Sequence, residues 1–193
     1  ISGLNVQNIT KGALSLLKKY LKKQQIIPSE GAALHYAAQN SKINISVLLT
    51  YTERLRNFGY WHEQLIAESL GKKNKGFTPI HSMGATDQHS LLQLFLEGPK
   101  DKLITFITLK RQKDQIKINN NLISKVKKLS FLKKESLNKL LDFEMEKVCR
   151  LLNQYKRPYR TIILNKCKEF DIGYLMMNFM LETIILAYLN NLN

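Results

Sequence analysis

The stretch INISVLLTY, residues 43–51, decides the fold. It is β-branched and almost continuously apolar, the pattern of a strand buried on both faces of a parallel sheet. DKLITFITLK at 101–110 repeats the pattern, YRTIILN at 159–165 gives a third strand, and residues 77–83, around Pro79, form a short extended segment. Helical patterns fill the intervals. In the first forty residues Leu14, Leu17, Tyr20 and Leu21 recur at helical spacing, with lysines at 18, 19, 22 and 23 on the solvent side. Pro28 ends that element, and the small-residue run 29–34 opens a second helix suited to close packing. Further helices are expected over 54–70, after the polar turn 84–90, over 131–155 with Leu137, Leu140, Leu141, Met145 and Val148 inward, and over 172–193. This alternation predicts an α/β domain spanning 1–193, with a doubly wound, mostly parallel sheet flanked by helices. In such a sheet ligands gather outside the carboxyl ends of the strands, which makes 51–54 a rim to watch.

Composition narrows the function classes. The chain has 193 residues, 44% of them hydrophobic, enough for one domain with a real core. Its formal charge of +15 raises nucleic-acid binding. Seven basic residues between 110 and 128 face the single acid Asp114, but no aromatic side chain is interleaved to stack bases, and lysine is abundant throughout. A specific nucleic-acid partner is not expected. Cys149 and Cys167 have neither Cys-x-x-Cys spacing nor a histidine cluster nearby, so neither a zinc site nor a disulfide framework is suggested. The apolar segment 172–192 is interrupted by Asn178, Glu182 and Asn190 and reads as a buried helix rather than a membrane span. The start lacks both a signal-peptide pattern and an initiating methionine, and a cytoplasmic location is expected.

Two residues carry candidate chemistry. On the 54–70 helix, Trp61 and Leu65 share a line with Glu68, so partial desolvation is expected to raise the Glu68 pKa towards the range of a general base. By composition alone a solvated carboxylate is the default. In the turn 84–90, Thr86 or Asp87 is the expected N-cap, placing His89 in the first helical turn, where the dipole favours a neutral imidazole. His35 reads as a core or groove histidine and His81 as a half-exposed strand residue.

AESLGK at 67–72, GATDQHSLLQLFLEGPKDK at 84–102 and TYTERLRNF at 50–58 together resemble the C-terminal half of the glucose-6-phosphate isomerase family, bacterial type. The resemblance extends more weakly through 159–165 and the closing helix. It implies the sugar-isomerase α/β sandwich and an aldose–ketose isomerase acting on a hexose 6-phosphate. Glu68 then matches the base that moves a proton between C2 and C1 through a cis-enediol(ate). His89 matches the ring-opening histidine, contributed in that family to the neighbouring subunit's site of a homodimer. Gln88, beside it, is a candidate substrate contact. No metal or redox cofactor is required. The family's phosphate-binding loop and enediolate-stabilising arginine would precede Ile1, and its C-terminal lysine would follow Asn193, so the chain is expected to be incomplete at both ends and inactive alone. The alternative is a non-catalytic sugar-phosphate-binding or interaction module on the same fold.

Overall fold

A computed structural model describes residues 3–110, 128 and 136–192. Its elements in order are α1 (Val6–Leu21), α2 (Ile27–Asn40), β1 (Ile45–Thr50), a 3-10 turn (Glu53–Leu55), α3 (Arg56–Leu70), β2 (Thr78–Met83), α4 (Gly84–Glu97), β3 (Lys102–Leu109), α5 (Leu137–Gln154), β4 (Tyr159–Leu164) and α6 (Glu169–Leu189). The basic loop expected after residue 110 and the first residues of the 131–155 helix lie outside the described residues; α5 is described from Leu137.

The four strands form one sheet in the order β2-β1-β3-β4, and every pairing is parallel. The expected doubly wound α/β architecture is therefore the observed one. β1 and β3 occupy the centre because they are apolar on both faces. Val47, Leu49 and Tyr51 with Ile104 and Phe106 face α4 and α5, where Phe95, Leu96, Val148 and Leu152 cover them. Leu48, Leu103 and Ile107 point the other way, under α2, α3 and α6. The chain steps from β1 to β2 with α3 on one face, then back past β1 to β3 and β4 with α4 and α5 on the other. Travel and face reverse together, as right-handed crossovers require. The switch point falls between β1 and β3.

α6 is long and apolar enough to cross a membrane by composition, but here it is the central helix of its layer. Leu175, Phe179 and Leu186 are buried under α1, α2 and α3. It meets α1 backbone to backbone: a Cβ at Gly12 would overlap the Phe170 carbonyl, and one at Gly173 the Ile9 carbonyl. Only glycine permits that approach.

Candidate functional site

The sheet has two edges, and the candidate residues lie on different ones. Glu68 sits in the last turn of α3, next to Leu70, which packs with Ile43, Phe77 and Leu103. Those three residues precede or open strands, so Glu68 is at the amino edge. His89 sits on α4, which starts where β2 ends, and the adjacent Gln88 is bonded to Tyr51, the residue after β1. That is the carboxyl edge. At about 3.3 Å per residue, a strand separates the two by roughly 20 Å. Within one chain they do not form a single site.

Two local expectations are corrected. Trp61 and Leu65 do turn inward, against the cluster of Leu48, Phe58 and Phe179. Glu68, a turn further on, is nevertheless exposed, and its Oε1 accepts a 3.1 Å hydrogen bond from Gln64 Nε2. The cover over Leu65 does not reach the helix end, so the expected partial desolvation of Glu68 is absent. Second, α4 begins at Gly84 with Met83 as its N-cap, not at Thr86 or Asp87. Asp87 works from inside the helix, its Oδ2 accepting the Met83 amide at 2.6 Å. His89 therefore lies in the second turn, exposed, where the dipole has already weakened.

Gln88 is buried and spoken for. The Tyr51 hydroxyl donates to its Oε1 at 2.7 Å, and its Nε2 donates to Glu144 Oε2 on α5 at 3.4 Å. Burial, with Cys149 and Glu144 nearby, pushes the Tyr51 phenol well above its ordinary range, so it remains a donor. Gln88 thus ties α4 to the end of β1 and to α5. His89 lines a shallow cleft of about 220 Å³ with Leu92, Phe143, Glu144 and Lys147.

A second set of strongly perturbed groups lies elsewhere. Between the sheet and α2, α3 and α6, Glu182 is 2% exposed and receives a bidentate pair from Arg160, Nη1 at 2.9 Å and Nη2 at 2.7 Å. Arg160 Nε donates to Thr105 Oγ1 at 2.9 Å. His35 Nδ1 stands 3.0 Å from both Glu182 Oε1 and the Gly31 carbonyl, while Nε2 is 3.1 Å from Ser46 Oγ. Both partners of Nδ1 are acceptors, so that nitrogen carries a proton. Burial would raise the Glu182 carboxyl, but Arg160 and His35 outweigh it and hold its pKa down to about 2. Burial drives His62, edge-on to Phe179 at 4.6 Å between centroids, down to about 3. A Cβ at Gly31 would overlap the Glu182 and Arg160 side chains, so the network requires glycine there.

Sequence reading missed this network because its members are scattered along the chain; glutamate and asparagine inside an apolar helix were the one visible signal. It also missed Glu63, whose Oε1 accepts the outward His81 amide of edge strand β2 at 2.6 Å. His35 is a core histidine and His81 is half-buried, as expected. Both cysteines are free, and burial raises their thiol pKa values.

An all-parallel, doubly wound α/β domain, with an exposed carboxylate at one sheet edge and an exposed imidazole at the other, is the class these observations define. Comparison with known proteins makes it specific. The chain is 32% identical over its whole length to a glucose-6-phosphate isomerase of Rubrobacter xylanophilus. It is 34% identical over 94% of its length to that of Campylobacter jejuni, and 42% identical over 56% of it to that of Methanocaldococcus jannaschii. A hypothetical protein of Thermus thermophilus superimposes over 98% of the chain with TM-score 0.88 and 26% identity. A glucose-6-phosphate isomerase of Chlamydia trachomatis does so over 96% with TM-score 0.74; at 16% identity this bears on the fold alone. No family model matches the chain. The chain is similar to a C-terminal-like portion of glucose-6-phosphate isomerase, spanning 45% of the length of both the Rubrobacter and the Campylobacter relative.

Proposed function

We propose that the protein containing this domain is a cytoplasmic isomerase that interconverts an aldose and a ketose hexose 6-phosphate through a cis-enediol(ate). Glu68 takes the C2 proton of the open-chain aldose and returns it to C1. His89 moves a proton at the ring oxygen during opening and closing. A carboxylate suits the first step because one group must accept and then release the same proton, and an imidazole suits the second because it exchanges protons near neutrality.

The observation that carries this reading is the pairing of chain-length similarity to glucose-6-phosphate isomerases with Glu68 and His89 exposed on opposite sheet edges. Residues that serve one reaction but lie a strand's length apart are best used by two sites, each completed by a second subunit. A homodimer in which Glu68 of one subunit works with the histidine of the other satisfies that geometry. The 193 residues alone, about 45% of the relatives' length, are expected to show no turnover.

The test is Glu68→Gln in the assembled enzyme. Isotope exchange at C2 should fall by about 100- to 10,000-fold while substrate binding is retained. A variant that exchanges normally would overturn the assignment of the base. Binding of hexose 6-phosphate by the assembled wild type without any exchange would favour the non-catalytic binding module.

A further inference from the structure

The carboxyl edge holds a second feature that the isomerase reading does not use. A cavity of about 380 Å³ opens at the ends of β1 and β3, at the switch point of the sheet, lined by Thr52, Arg54, Thr108, Lys110, Asn138 and Asp142 among others. Its size is that of a small-molecule pocket. Its position is where open α/β sheets bind ligands, because strand ends and helix starts converge there.

Three independent observations give it a sign and a chemistry. Arg54 and Lys110 are exposed at its rim, and neither side chain has a hydrogen-bond or ion-pair partner among the described residues. Thr108, only 7% exposed, lines the cavity, and its hydroxyl makes no hydrogen bond among the described residues. α5 starts at the cavity, with Ser136 as its N-cap and Asn138 in its first turn, so the positive end of its dipole faces the space. Two carboxylates share the lining. Glu53 is neutralised by Arg56, whose Nε and Nη2 donate to it at 2.5 and 2.9 Å, which leaves Asp142 against two cations. The balance is positive, and the remaining polar lining is hydroxyl and amide.

We propose that this cavity is a binding site for a small phosphorylated sugar or polyol, separate from Glu68 at the far edge. Arg54 and Lys110 take the phosphate, while Thr108 and Asn138 serve its hydroxyl-bearing body. Neither group needs the isomerase chemistry, so binding here stands or falls apart from the roles of Glu68 and His89.

The experiment is a calorimetric titration of the 193-residue chain with glucose 6-phosphate, inorganic phosphate and glucose. Saturable binding of glucose 6-phosphate is expected, tighter than that of either simpler probe. Arg54→Ala with Lys110→Ala should weaken it about tenfold or more, since each charge-assisted bond lost is worth that order. Thr108→Val should weaken it less, with the fold verified by circular dichroism. Lys22→Ala with Lys23→Ala, which removes the same charge just beyond α1, should leave it unchanged. No saturable binding by the wild-type chain would overturn the proposal. So would an equal loss in the Lys22 and Lys23 pair, which would mean diffuse attraction to a basic surface, or inorganic phosphate binding as tightly as the sugar phosphate.

Discussion

The buried cluster beneath α6 and the two exposed sheet edges divide the ionisable groups of this domain into opposite kinds. Glu182 and His62 are displaced far from their ordinary pKa values and are sealed from solvent. Glu68 and His89, the residues with a candidate chemical role, are open to water. Strong perturbation often marks a catalytic site, but structural ion pairs produce it too. Here it marks the joint that locks α2 and α6 to β3 and β4. Substitutions in the cluster should therefore cost stability, and substitutions at the edges should cost activity.

The largest effect should come from Arg160→Leu, which leaves Glu182 buried without its cation. Removing one partner of a buried pair costs about 3–5 kcal/mol, readable by urea unfolding. A loss near zero would mean that Glu182 reaches solvent and that the cluster is no lock. Gln88→Leu should cost less, about 1–3 kcal/mol, because it strands the buried Tyr51 hydroxyl. A neutral result would break the assignment of Gln88 as a tie between α4 and α5.

Acid should separate the regions as well. Between the ordinary histidine value of 6.5 and about 3, the unfolded chain binds a proton at His62 that the folded chain does not. Stability therefore rises with pH across that window and is lost as pH falls through it. Glu182 adds a second loss from its ordinary 4.5 down to about 2. Unfolding followed from about pH 7 to 3 should show this decline, and His62→Leu should flatten its upper part. An unchanged slope would place the acid sensitivity elsewhere. The smallest effect belongs to the edges: Glu68→Gln and His89→Gln should each shift unfolding by no more than about 0.5 kcal/mol. A larger shift would make either residue structural.

The sheet was legible because β1 and β3 are buried on both faces, so their sequences are nearly continuous apolar runs. The carboxyl-edge rim at 51–54 followed from the same reading and lines the cavity. Element boundaries were less legible. Thr86 and Asp87 look like caps, yet Asp87 reaches back to the Met83 amide from within α4, so the helix starts earlier than its polar turn suggests. The line Trp61, Leu65, Glu68 reported the inner face of α3 correctly but not where its cover ends. The Arg160–Glu182–His35 network joins β4, α6 and α2, and no local spacing announces such a meeting. Glu68 and His89 became candidates through the motifs around them, since neither burial nor charge distinguishes them.

Glu68 and His89 are apart within a chain, and the proposed site needs them to meet across two chains. The direct measurement is isomerase activity after Glu68→Gln and His89→Gln subunits of the assembled enzyme are mixed, dissociated and allowed to reassociate. Half the dimers would then be hybrids, each with both lesions in one site and an intact second site, so about a quarter of wild-type activity should return. A mixture no more active than either variant alone would contradict the shared site.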